Sequence, residues 1–290
     1  NVVSLPAGTV IDADGNEVTT ASNNTTANFA IDTAAPTATI TFVDSALKVG
    51  DTSVVTITFS EALTGGTFTN SDLTIQNGTL TTVGTTDNTV FTGTFTPTAN
   101  LEDLSNVITL NNSGVTDVAT NPGSGTTSSA EYEIDTLRPD ATITIADTAL
   151  KAGETTTVTI TFTEVVVGFA NADLTILNGT LSTVATTDGG LTYTGTFTPA
   201  SSTDDSSNVI TLANTGVADA AGNAGAGNTT SANYAVGTVV PTVSSKISMN
   251  DTALKSGETA TVTVVFSEAV TGLTVGDFDV ANGSLSGLTT

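Results

Sequence analysis

The sequence predicts an all-β chain, a tandem of small β-sandwiches of about 103 residues each. Three observations predict it. One stretch occurs three times, at residues 44–61, 147–164 and 251–268, opening near Ala-Leu-Lys and closing on Phe, a hydroxyl residue and Glu. Lys48, Lys151 and Lys255 stand 103 and 104 residues apart, a period that suits one small domain rather than one turn of a solenoid. Inside the stretch, Val55, Ile57 and Phe59 alternate with Thr56, Thr58 and Ser60, the period of a half-buried strand built on β-branched residues. The first set is expected to face a core and the threonines to face out. Finally, no segment carries an apolar stripe of period 3.6.

Taken in order, residues 1–35 read as the back part of one repeat. Residues 1–5 match 106–110 and 208–212, an Asp/Gly/Asn loop follows from Asp12 to Asn16, and a last strand is expected over 26–31. Pro36, Pro139 and Pro241 then open repeats, giving complete ones at 36–138 and 139–241 and a front part at 242–290. Proline belongs at a strand start or edge, where its missing N–H costs no ladder bond. On this reading the chain is a window cut from something longer.

Seven strands are expected per repeat. In the first they fall at 38–42, 53–59, 73–76, 79–83, 90–95, 106–110 and 130–134. Asn77-Gly78, set between alternating apolar residues, predicts a two-residue hairpin joining the third and fourth. Short strands at roughly ten-residue spacing, broken by turns, describe a sandwich with one core per repeat.

Charge narrows the function. Asp and Glu number 29 against 5 Lys and Arg, a net charge of −24, although only 12% of residues are charged. That balance argues against nucleic acid and anionic membrane as partners, and favours cations or a chain kept extended by self-repulsion. No apolar run approaches the ~20 residues of a membrane span, so no membrane insertion is expected. The absence of Cys removes disulfides, thiol catalysis and thiolate metal sites. With no His either, paired carboxylates are the main acid–base option, and Glu102-Asp103 and Asp204-Asp205 read as a Thr/Ser-rich loop rather than a pocket. No enzyme is expected. A carbohydrate-binding module is a weak alternative, since aromatics are 5% and Trp is absent.

The set Ala-Leu-Lys-x-Gly-Glu, Thr-Val-Thr-Ile-Thr-Phe-Ser-Glu, Asp-Leu-Thr-Ile-x-Asn-Gly-Thr-Leu, Thr-Gly-Thr-Phe-Thr-Pro and Asn-Val-Ile-Thr-Leu resembles the bacterial immunoglobulin-like repeats of very large secreted adhesins. The match covers essentially the whole chain. The resemblance implies an extracellular or cell-surface protein, often secreted by a type I (RTX) route and part of a biofilm matrix. It further implies an extended rod of end-to-end repeats, often stiffened by calcium between domains, whose partners are neighbouring repeats and, in a fibre or matrix, other copies. A fibre subunit completed by neighbouring chains is the alternative.

Calcium is the better use for these carboxylates, since hard cations take several oxygens brought together from loops. In an immunoglobulin-like sandwich the incoming linker, the loop after the second strand and the loop before the last meet at one end. That end is expected to gather Asp32, Glu61, Asp117 and Asn121, and in the next repeat Asp135, Glu164, Asp219 and Asn223. A second site is expected at the opposite end, with Asp44 and Asp103 in one repeat and Asp147 and Asp205 in the next. Gly237 replaces the linker aspartate at the third junction, which is expected to lack that ligand.

Overall fold

The computed structural model describes residues 2–4, 10–17 and 27–289. Asn1, Leu5 and Thr26, which begin or end expected strands, lie outside the described residues. The chain divides into two units, Asn1–Arg138 with Ala221–Asn223, and Pro139–Ala220 with Ala224–Thr290. Among the described residues no helix is long and apolar enough to cross a membrane.

The first unit holds β1 (Ala38–Phe42), β2 (Ala46–Lys48), β3 (Ser53–Phe59), β4 (Leu73–Ile75), β5 (Gly78–Leu80) and β6 (Gly84–Thr85). It continues with β7 (Val90–Pro97), β8 (Glu102–Asn106), β9 (Ile108–Asn111), β10 (Thr126–Ser128) and β11 (Tyr132–Asp135). One layer runs β1-β3-β7-β5, with β6 also on β7. The other is made of two patches, β10-β9-β4 and β2-β11-β8. Val107 alone parts β8 from β9, so one run of chain serves both patches: β8 pairs with β11 and β9 with β4. This is the strand order of an immunoglobulin-like sandwich.

The proposed register of β3 holds. Val55 and Ile57 are fully buried and Phe59 is 2% exposed, while Val54 on the other face is 44% exposed. Two aromatic groups fill the core. Phe59, Phe68 and Phe91 pack edge to face with centroids 4.9–5.7 Å apart, and Phe42, Phe95 and Tyr132 form the second group at 4.5–5.7 Å. Such pairs add roughly 0.5–1.5 kcal/mol each beyond area burial. Tyr132 donates its hydroxyl to the Gln76 carbonyl. Burial first, and the nearby Asp103 charge, push its phenol up to about 12.

Asn77-Gly78 does not close a hairpin. β4 pairs with β9 in one layer and β5 with β7 in the other, so the dipeptide carries the chain between layers. Asn77 adopts a left-handed φ of 51°, and its amide donates to Asp103 Oδ2 at 2.8 Å and Asn106 Oδ1 at 2.7 Å. Gly78 is required by its neighbour, since an added Cβ would lie 2.1 Å from Phe95 Cζ. The buried amide network and the ring outweigh the dipeptide's local preference for a hairpin. Further differences are additions: β2, β6, β8 and β10 are strands where none is expected. β2 pairs with β11 in parallel, a long-range pairing that leaves no period in the local sequence.

Residues 27–31 form no strand. In the complete repeat the last strand, β11, is held between β2 and β8, and residues 1–35 contain no Ala-Leu-Lys segment to play the part of β2.

In the second unit Ala141–Ile145, Thr156–Phe162, Thr192–Pro199 and Gly179–Leu181 repeat the first layer in the same order. Val158 and Ile160 are fully buried. Beyond this repeat Ser248–Met249 and Val262–Thr263 pair as a short antiparallel ladder, and Val243 bridges Phe266.

Candidate metal centre

The loop before the last strand is a small structure in its own right. Asp117 N–H donates to the Asn121 carbonyl at 3.2 Å and Thr120 N–H returns a bond to the Asp117 carbonyl at 3.1 Å. Asn121 then donates twice to the Asp117 carboxylate, from its backbone to Oδ1 at 2.8 Å and from Nδ2 to Oδ2 at 2.7 Å. Thr64 Oγ1 ties the Asp117 carbonyl to the loop after β3 at 2.6 Å. These bonds satisfy the carboxylate of Asp117, which is buried at 1% exposure.

Onto this buried carboxylate converge two others. Asp32, Glu61 and Asp117 each place a carboxylate oxygen within 4.8 Å of the others. Asn121 Nδ2 also reaches the Asp32 carbonyl, at 3.3 Å. Three like charges this close oppose one another, and Glu61 registers it. Burial first, then the Asp32 and Asp117 charges, push its pKa above the ordinary glutamate value. The donors are all oxygen, from three separate segments, which is the chemistry a hard cation takes.

Asp135, Glu164 and Asp219 divide between the two units: Asp135 ends β11 in the first, while Glu164 and Asp219 lie in the second at the positions of Glu61 and Asp117. Asp219 and Asn223 are both buried, and Asn223 clusters with the first unit.

Among the described residues, the opposite end of the sandwich gathers no such group. Asp103 lies on β8, where Oδ2 accepts from Asn77 and Oδ1 from Ser105 N–H at 3.0 Å. Asp205 repeats this with Asn178 at 2.8 Å and Ser207 at 2.9 Å. Asp44 and Asp147 accept from the N–H two residues on, Ala46 and Ala149, at 3.0 and 2.9 Å. The four carboxylates are committed to the turn and to the corner beneath β11. The pattern of acids alone gave no warning, because the strand that consumes Asp103 is one the sequence does not signal.

Sequence reasoning also passed over Thr120. It holds a φ of 72°, where Gly15 and Gly222 occupy the same position in the other copies of the loop, at 83° and 89°. Comparing the three copies side by side is the signal that finds it.

The folded repeat is an immunoglobulin-like β-sandwich, and the chain is a tandem of them. Residues 32–134, 135–236 and 237–290 each match the bacterial Ig-like domain family, and the chain belongs to that family. No curated protein matches it. Among solved structures it is similar to the Escherichia coli adhesin FdeC, at 11% identity and a TM-score of 0.38, over 69% of this chain and 63% of that one. The Yersinia pseudotuberculosis adhesin InvE is similar at 18% identity and a TM-score of 0.31, over 67% and 58%. A tandem from titin is similar at 11% identity and a TM-score of 0.25, over 82% and 91%. The chain spans about three fifths of the length of the two adhesin structures.

Proposed function

We propose that this chain is a structural spacer segment of an extracellular bacterial surface or matrix adhesin, without catalytic activity of its own. We further propose that calcium, held by Asp32, Glu61 and Asp117, fixes the entry of the linker into the repeat. The observation that carries the spacer reading is three consecutive matches to one domain family, following one another without a gap from residue 32 to 290. The converging carboxylates support the calcium reading: a divalent cation relieves the repulsion that raises Glu61 and joins the linker to two loops at once.

Single-molecule stretching of the whole chain tests both parts. Two equal unfolding steps of about 350 Å are expected, one for each complete repeat of roughly 103 residues at ~3.4 Å per residue. Calcium at millimolar concentration is expected to raise the unfolding force, and Glu61→Gln to remove that rise for one repeat. A single cooperative step would end the spacer reading. Two steps indifferent to calcium would end the metal reading alone.

A further inference from the structure

Each complete repeat crosses between its layers on an Asn-Gly dipeptide, Asn77-Gly78 in the first and Asn178-Gly179 in the second. In an unstructured chain this dipeptide loses its amide readily, because glycine has no side chain to keep its nitrogen from the asparagine Cγ. The glycine nitrogen bonds to Cγ and ammonia leaves, closing a five-membered succinimide. Water then opens the ring at either carbonyl and leaves aspartate or isoaspartate. One water is consumed and one ammonia released, and no other reactant is needed.

The fold engages the groups that this reaction must free. Asn77 Nδ2, the leaving nitrogen, donates to Asp103 Oδ2 at 2.8 Å and Asn106 Oδ1 at 2.7 Å. Asn178 Nδ2 donates in the same way to Asp205 Oδ2 at 2.8 Å and Asn208 Oδ1 at 2.7 Å. Thr98 N–H holds the Asn77 carbonyl at 2.9 Å, and Ala200 N–H holds the Asn178 carbonyl at 2.8 Å. Each of these bonds pins the peptide plane that carries the glycine nitrogen. The buried rings of Phe95 and Phe197 close over the two glycines, where an added Cβ would fall 2.1 and 2.2 Å from Cζ. The nitrogen cannot swing onto Cγ without displacing a core aromatic.

The same contacts refuse the product. Asn106 is fully buried, and its own Nδ2 is committed to the Asp103 and Tyr132 carbonyls at 2.7 and 3.2 Å. It cannot flip to offer a donor without orphaning both. A carboxylate at position 77 would therefore meet the Asp103 carboxylate and the Asn106 oxygen, acceptor against acceptor and charge against charge. Asn208 is held identically by the Asp205 and Tyr234 carbonyls at 3.0 and 3.1 Å. Isoaspartate would add a methylene to the main chain where φ is already 51° and the next residue lies under a ring.

We propose that Asn77 and Asn178 are latent deamidation sites. The folded repeat shields its asparagine, an opened repeat loses the amide, and the carboxylate so formed keeps that repeat from closing again. Time spent open is thereby recorded as a covalent change in the repeat that opened.

The whole chain, held at mildly alkaline pH in buffer and in denaturant, tests this by peptide mass mapping followed by refolding. Conversion at both positions is expected to be at least about a hundredfold faster in denaturant, since reaction through an opened state tracks its population. Chains denatured only briefly are expected to refold fully, and protease resistance after refolding is expected to fall in step with conversion. Asn77→Asp, made genetically, is expected to lose one of the two stretching steps and keep the other. Equal rates in buffer and denaturant, full refolding of converted chains, or two unaltered steps in Asn77→Asp would each overturn the proposal.

Discussion

Residues 156–162 and 260–266 spell nearly the same strand, Thr-Thr-Val-Thr-Ile-Thr-Phe and Ala-Thr-Val-Thr-Val-Val-Phe. The first is a seven-residue strand with a partner on each edge, and its Val158 and Ile160 are sealed from solvent. In the second only Val262–Thr263 is strand, and Val262, Val264 and Phe266 remain half-buried. Alternation of apolar and polar residues therefore specifies which face a strand would bury. It does not supply the neighbours that let the strand form, because every ladder bond here comes from a segment more than ten residues distant. The loops behave in the opposite way. Asp12 and Asn16 make the bonds that Asp117 and Asn121 make, with Asn16 N–H at 2.8 Å from Asp12 Oδ1 and Nδ2 at 2.8 Å from Oδ2, although among the described residues no strand precedes Ala38. A five-residue loop closes on itself, whereas a strand cannot.

The sharpest way to break the contrast is to truncate the same ring in both copies. Phe162→Ala is expected to destabilise the second repeat by about 3–5 kcal/mol, and Phe266→Ala by only about 1 kcal/mol, since its ring is no more than half-buried. Denaturant unfolding of the whole chain reads both, and equal losses would show that residues 260–266 already share a closed core. Gly179→Ala is expected to cost about 1–3 kcal/mol through overpacking against Phe197, while Gly283→Ala should be close to neutral.

Smaller effects sharpen the loop side of the comparison. Thr120→Gly relieves a β-branched residue at positive φ and is expected to stabilise the first repeat by about 1 kcal/mol, seen as a higher melting temperature. The pH dependence is subtler and has opposite signs in the two loops. Asp12 is held below its ordinary value, chiefly by the Asn16 side chain, so its contribution is present above the unfolded pKa and lost as pH falls through the folded one. Glu61 is raised, by burial and then by Asp32 and Asp117. Its contribution is present below the unfolded pKa and is lost as pH rises through the folded one, which lies above the ordinary glutamate value. Without calcium, the first repeat is therefore expected to lose stability across that window. Glu61→Gln should flatten the loss, and calcium should reverse it in the parent chain but not in the variant. A melting-temperature profile across that window, with and without chelator, measures this.

Several features were written locally and were legible there. The three-fold recurrence of Ala-Leu-Lys through Phe-Ser-Glu fixed the repeat length, and the period of two fixed which side of β3 faces inward. The excess of carboxylate, together with the linker aspartate and the acids closing two loops, was enough to bring Asp32, Glu61 and Asp117 into one group. Other features depended on distant chain. Asn77-Gly78 reads as a hairpin until Phe95 and Asn106 arrive from the sequence beyond it and turn it into a corner between layers. Asp103 reads as a free loop acid until β8 pairs with β11 and commits its carboxylate to Asn77 and Ser105. Periodicity and turn chemistry act over a few residues, so the sequence by itself determined the repeats, the inward faces and the self-closing loops. Strand pairing and burial act across the whole repeat, so only the tertiary structure decided which dipeptide turns and which carboxylates are already satisfied.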